Sequence, residues 1–220
     1  MYIPRQFREE RPEVLARTIR DIELAALVTG GPEEMHVSHV PMVLKEGDKG
    51  AWTLETHVAR PNPHWRLAGA GVPSVAIFQG PQSYISPSFY ATKREHGKVV
   101  PTWTYIAVHA HGAIEAVEDG GWLRSHLNDL TRAKEAAREH PWEISDAPED
   151  FVSGLTRAIV GLRLRVERIE GAWKMIQHRS EGDRLGTIAG LEAEVDGKEV
   201  AKIMRELEAA RLPASTTHDT

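Results

Sequence analysis

The sequence predicts an α+β fold, a small, mainly antiparallel β-barrel with flanking and C-terminal helices, and three observations carry that expectation. Six or seven short segments alternate apolar with polar residues, or run apolar between turns rich in Gly, Pro and Asp. Helical patterns are inserted among them without the strict alternation of a doubly wound sheet. No Gly-x-Gly-x-x-Gly follows the first strand-like run, so a dinucleotide-binding turn is not expected there.

Taken in order, Pro12 to Asp21 reads as a short amphipathic helix with Val14, Leu15 and Ile19 on one face. Leu24 to Thr29 is an apolar strand, and Gly30 to Glu34 is a turn. Two further strands follow, Met35 to Leu44 and Ala51 to Val58, separated by the turn Glu46-Gly-Asp-Lys-Gly50 and forming a β-meander. Asn62 suits an N-cap and Pro63 the first position of a short helix reaching about Gly69. Ser74 to Gln79 is a buried strand. Gly80 to Pro101 holds too much Pro, Gly and Ser for one long element, and a loop of that length in a compact fold is usually functional or disordered; its aromatics argue against disorder.

Trp103 to Val117 alternates as a long strand, with Thr104, Ile106, Val108, Ala110 and Ile114 on one face, Trp103, Tyr105, His109 and His111 on the other, and a bend expected at Gly112. Two helices follow: Gly121 to Glu139, with Trp122, Leu123, Leu127 and Leu130 inward, and Pro148 to Ile159. Leu162, Leu164 and Val166 alternate with Arg163, Arg165 and Glu167, and Gly171 is expected to turn this strand into Ala172 to Ile176 as a terminal hairpin. Arg184 to Leu191 and Lys198 to Leu212 are helical.

A chain of 220 residues buries a full core without staples, and no composition shift marks a linker. The expectation is one domain over residues 1–212, with a polar, disordered tail over 213–220. The absence of cysteine excludes disulfides, thiol nucleophiles and Cys-bound metals. No apolar run approaches the roughly 20 residues of a membrane span, and Met1 to Arg5 does not resemble a signal peptide, so a cytoplasmic protein is expected. With a net charge of -5 and both signs interspersed, the balance argues against DNA as a ligand. The basic segment Arg157 to Arg168 reads as one solvated strand face.

The candidate chemistry starts at His57-Val-Ala-Arg-Pro-Asn-Pro-His-Trp65, where His57 and Arg60 precede the capped helix start. Free N–H groups beside two basic side chains suit a phosphate monoester. The plainer alternative is a turn that packs Trp65 into the core. His109 and His111 share a strand face and offer a metal pair, or else are buried histidines satisfied by hydrogen bonds; no third ligand is evident. Trp103 and Tyr105 suit stacking, but aromatics on an alternating strand more often belong to core or interface, and Tyr84, outside any apolar stripe, suits a ligand better. No Gly-x-Ser-x-Gly elbow exposes a nucleophile.

Several blocks, in the same order, resemble the PaiB-type FMN-binding proteins, described as negative transcriptional regulators on the flavin split-barrel fold. They are Met-Tyr-Ile-Pro4, Ser38-His-Val-Pro41, His57-Val-Ala-Arg60 with Asn62-Pro-x-Trp65, Phe78-Gln-Gly-Pro-Gln-Ser-Tyr-Ile-Ser-Pro87, Val100-Pro-Thr-Trp103 and His109-Ala-His-Gly112. The resemblance runs to about Leu191. It implies a split β-barrel homodimer with FMN near the subunit interface. It also implies that Arg60 and the Asn62–Trp65 helix start hold the phosphate and that His57 meets the ribityl chain or phosphate. Ser38, His39 and Val40 would lie along the isoalloxazine, Gln79, Gln82 or Ser86 would meet its polar edge, and Tyr84 and Trp103 are its candidate ring contacts. Arg179 and Arg184 resemble the C-terminal block and would reach the site from the partner chain; His178 stands where many relatives carry Asn. The implied activity is that of a regulatory flavoprotein. A flavin-dependent oxidoreductase acting on a small substrate and a haem-handling protein are the alternatives, because one barrel hosts several functions.

Overall fold

The structure, a computed structural model, describes residues 1–30, 35–69 and 71–211. The turn expected at residues 31–34 and the tail over 213–220 lie outside them. The chain forms two compact units: a smaller one of Met1–Glu9, Gln79–Ala107 and Gly171–Thr220, and a larger one of Glu10–Phe78 and Val108–Glu170.

In the larger unit, helix α1 (Pro12–Ile22) starts with a proline whose missing N–H costs nothing there and buries Leu15, Ala16 and Ile19. It ends at Glu23, whose positive φ of 54° closes the helix with an N–H bond to the Ile19 carbonyl. Strand β2 (Leu24–Gly30) then pairs antiparallel with β3 (Met35–Pro41), from Leu24↔Pro41 to Gly30↔Met35. The single strand expected from Met35 to Leu44 is two. Met42, 2% exposed, gives its N–H to the Glu23 carbonyl at 2.9 Å, and β4 (Val43–Glu46) pairs instead with β5 (Trp52–Ala59).

That break closes the architecture. With β6 (Pro73–Ile85), β7 (Thr102–Val117) and β8 (Ile159–Lys174), the strand order is β3-β2-β6-β7-β8-β5-β4. The two end strands, β3 and β4, are joined by Met42 alone, and a one-residue link spans at most roughly 7 Å, so the sheet must curl until its ends meet. Across that meeting the Thr56 hydroxyl of β5 donates to the Pro41 carbonyl at 2.7 Å. Among the described residues no ladder joins β3 to β4 in this order, and the barrel stays split. The fold is therefore an α+β, mainly antiparallel split barrel.

Strands β5 and β8 pair from Thr53↔Arg165 to Ala59↔Ile159. Val160, Leu162 and Leu164 are fully buried while Arg163 and Arg165 point outward to Glu55 and Glu115, so the basic segment is a paired, half-solvated face. Strand β7 runs continuously through Gly112, where a Cβ would lie 1.9 Å from the Arg165 carbonyl oxygen, so the glycine serves the close approach of β7 and β8. Helix α3 (Gly120–Glu135) is capped by Asp119, which accepts the Trp122 N–H at 2.7 Å, and α4 is Glu149–Arg157.

In the smaller unit, β1 (Arg8–Glu9) pairs with β8 as Arg8↔Ala172 and Glu9↔Gly171. The hairpin expected at Gly171 is thus absent, since a second strand supplies the ladder that keeps this glycine extended. The expected loop over 80–101 is also partly regular. Strand β6 continues to Ile85, followed by a 3-10 turn at Pro87–Phe89 and the short helix α2 (Thr92–His96). Pairing of β6 with β2 ends at Ile77, so Pro81 lies where a missing N–H leaves no gap in that ladder. Helices α5 (Glu181–Ala193) and α6 (Lys198–Ala209) complete the unit. Gly186 and Gly190 of α5 let the Phe89 turn dock: a Cβ on Gly190 would meet the Phe89 ring at 2.3 Å.

Candidate functional site

The block from His57 to Trp65 ends β5 and enters a buried polar network of the larger unit. The helix expected at Pro63 is a single 3-10 stretch, Pro63–Leu67, and Asn62 Oδ1 caps it by accepting the His64 N–H at 3.0 Å. Asn62 Nδ2 donates to Ser38 Oγ at 3.0 Å, and Ser38 Oγ lies 2.9 Å from His64 Nδ1. His64 Nε2 is 2.8 Å from Thr29 Oγ1, which is 2.7 Å from Ser74 Oγ. The chain Asn62–Ser38–His64–Thr29–Ser74 therefore holds β2, β3, β6 and the turn together. His64 is 1% exposed, and burial, then His36, push its pKa below the ordinary value, which keeps the imidazole a neutral link in the chain.

Arg60 is fixed on three sides. Its Nε donates to the Arg157 carbonyl at 3.0 Å, its Nη2 to the Ile159 carbonyl at 3.2 Å and its Nη1 to Glu118 Oε2 at 2.6 Å. Glu118 is 55% exposed, so the ion pair is a surface one, worth little, and an incoming dianion can displace it while the two carbonyls keep the guanidinium in place. The same side chain lines a cavity of about 540 Å³ together with Arg124, Ser153, Thr156 and Arg157. Trp65 gives its indole N–H to the Arg60 carbonyl at 2.9 Å, which settles the block's geometry without burying Trp65 in the core. His39 is exposed on β3, and Val40 is a core residue at 6% exposure.

His57 Nδ1 lies 3.1 Å from His126 Nε2, and the His126 ring stacks on Trp122 at 5.3 Å and 5°. His126 is 1% exposed, and its Nδ1 has no hydrogen-bond partner among the described residues. Burial, followed by the neighbouring His57 and Lys45, lowers its pKa to about 4, against a small opposing pull from Asp129. Burial lowers His57 as well.

In the smaller unit, Gln82 Oε1 accepts the Trp103 indole N–H at 3.0 Å, and Tyr84 meets Trp103 edge-on at 6.1 Å between ring centroids. Both rings stay about half exposed, at 48% and 49%, and Gln79 is exposed too. Ser86 caps the Pro87–Phe89 turn through the Ser88 N–H at 3.2 Å. The Arg179 guanidinium sits 4.7 Å over the buried Tyr90 ring, whose hydroxyl has no hydrogen-bond partner among the described residues. Arg184 is spent on structure: it forms a two-pronged pair with Glu208 at 2.6 and 2.9 Å and donates to the Arg179 carbonyl at 2.6 Å. His178 packs edge-on against Phe7 at 5.4 Å.

Within the larger unit, then, the structure joins Ser38, Asn62 and the turn that carries Trp65, holds Arg60 beside them in the chain, and turns His57 toward α3. Within the smaller unit it joins Gln82, Tyr84 and Trp103. Three participants escape sequence reasoning: His64, His126 and Tyr90. For His126 a signal existed, since it falls one turn from Trp122 and Leu123 on the inward stripe of α3. Nothing local marks Tyr90 as buried.

The fold and sequence have counterparts. Solved structures with the same fold include an FAD and heme binding protein from Mycobacterium smegmatis, at TM-score 0.55 and 14% identity over 76% of this chain and 73% of that one. The flavocytochrome Anf3 from Azotobacter vinelandii superposes at TM-score 0.52 and 12% identity, over 78% and 72%. In sequence, an uncharacterized Aspergillus fumigatus protein is 34% identical, and the Bacillus subtilis protein named protease synthase and sporulation protein PAI 2 is 30% identical; each alignment covers 94% of this chain and 97% of the relative. Residues 1–168 match the family model described as "Putative FMN-binding domain", which contains the His57–Trp65 block and the strands that hold it, and the chain belongs to that family.

Proposed function

We propose that this protein is an FMN-binding flavoprotein of the PaiB regulatory type. One observation carries the reading: Arg60 is held by two backbone carbonyls with only an exposed carboxylate as its ionic partner among the described residues, a pre-positioned cation of the kind a phosphate monoester takes. In this reading Arg60 takes the phosphate, His57 stands beside it, and the Ser38–Val40 strand, set by the bond from Asn62, runs along the isoalloxazine. The donor set of the smaller unit suits the same class of ligand. Gln79, Gln82 and Ser86 are amide and hydroxyl groups for a polar ring edge, Tyr84 and Trp103 are half-exposed flat surfaces, and Arg179 is a cation over the face of the Tyr90 ring. The reading includes a homodimer with the flavin near the subunit interface. Bound FMN supplies one- or two-electron redox chemistry, and the protein supplies position and charge.

The regulatory assignment follows the name of the Bacillus relative; an acidic net charge of -5 favours action through the flavin state or a protein partner over direct DNA contact. The test is a fluorescence titration of FMN against the purified chain and Arg60→Ala. Loss of one charged phosphate contact costs about 1.5–3 kcal/mol, or about tenfold or more in affinity. Absence of wild-type binding, or equal binding by the variant, overturns the cofactor or its placement respectively. Salt-dependent retention of DNA by the FMN-loaded protein would overturn the indirect route.

A further inference from the structure

On the outer face of β7, two residues apart, His109 and His111 stand with ring centroids 6.1 Å apart. Sequence reading finds no third partner for them, and the larger unit supplies one: Glu170 of β8, 59 residues beyond His111, places Oε2 2.8 Å from His111 Nε2. One donor atom from each of His109, His111 and Glu170 lies within 4.8 Å of the other two, and all three side chains are half-buried.

We propose that His109, His111 and Glu170 form a binding site for one divalent transition-metal ion, separate from the flavin site. Two imidazoles and a carboxylate are the donor set borderline ions such as Zn²⁺ and Co²⁺ accept, and three protein ligands leave coordination positions for water or a small anionic ligand. The geometry is near what such an ion needs. Two donors of one tetrahedral ion lie roughly 3.4 Å apart, so the His111–Glu170 pair opens slightly and His109 closes by a side-chain rotation. The strands fix the backbone of the two histidines, so little ordering remains for the ion to impose. Arg168 is one competitor, and the N-terminal amine, which also bonds Glu170, is another; the Arg168 Nη1 lies 2.6 Å from Glu170 Oε2, but its side chain is 56% exposed and swings into solvent when a cation takes its place.

The test uses untagged, chelator-treated full-length protein titrated with Co²⁺ by visible absorption, then with Zn²⁺ in competition. The expected result is one equivalent per chain, with affinity falling at least about tenfold in His111→Ala and in Glu170→Gln while far-UV circular dichroism is unchanged. Glu170→Gln keeps the shape of the site and a hydrogen bond to His111, so it reports on ligation even where His111→Ala disturbs packing. Wild-type binding no tighter than that of both variants overturns the site, because it places the ion on others of the chain's 11 histidines; so does the absence of binding.

Discussion

Replacing His126 with Phe tests the claim that a neutral imidazole lies sealed under α3. The ring faces His57 at 3.1 Å, Trp122 in a parallel stack with Arg163 beyond it, and the Lys45–Asp129 pair, and its pKa falls to about 4 mainly through burial. In the unfolded chain the same group titrates near 6.5, so the unfolded state binds the extra proton throughout the interval between the two values. Its contribution is fully present above about pH 6.5 and is lost as pH falls toward 4. At about 1.36 kcal/mol per pH unit the interval is worth about 3 kcal/mol, a large part of a typical stability of about 5–15 kcal/mol. Phe preserves the stack on Trp122 and cannot titrate; at neutral pH it costs about 1 kcal/mol for the lost bond to His57. Urea unfolding of both proteins, from about pH 7 to about pH 4, reads the difference. The wild-type curve should fall by about 3 kcal/mol more than the variant's. Parallel curves would refute the argument, since they would mean that His126 is either hydrated or charged in the native state.

Two further outcomes follow from packing. Gly112→Ala drives a Cβ into the Arg165 carbonyl 1.9 Å away, backbone against backbone, and should destabilise by about 3 kcal/mol or more, read as a drop in Tm; a neutral result would mean that β7 and β8 are further apart at this point. Arg184→Ala breaks the two-pronged pair with Glu208 and should cost about 2–3 kcal/mol in urea unfolding, with FMN affinity changed far less than in Arg60→Ala; the reverse ranking would return Arg184 to the cofactor.

The local calculus of periodicity reads the fold well where apolar spacing alone marks an element and the face it buries. Helix α1, strands β2, β5 and β7, and the alternation of Val160, Leu162 and Leu164 on β8 all stand where apolar spacing places them. It fails where a distant strand decides. Gly171 reads as a turn and is a ladder residue because β1, at the other end of the chain, pairs with it. The Met35–Leu44 run reads as one strand and is two because Met42 answers the carbonyl of Glu23. For the site, the basic and capping residues that make the His57–Trp65 block a candidate anion site are visible in its residue types. The partners of Arg60 and of the two histidines of β7 are not.

Read along the chain alone, the residues therefore yield an inventory: the face each strand buries, the cap at Asn62, the absence of thiol chemistry, and the blocks shared with one family. These depend on interactions within a few residues, where spacing and composition are sufficient statements of the physics. Tertiary structure alone decided which charges are spent and which are offered. Arg184 is consumed by Glu208, 24 residues on, Arg60 has two carbonyls and, as its ionic partner among the described residues, an exposed carboxylate, and His111 finds Glu170 across the sheet. Hydrogen bonds and ion pairs of that kind are set by strand order and register, which the chain acquires only when the sheet curls and its ends meet at Met42.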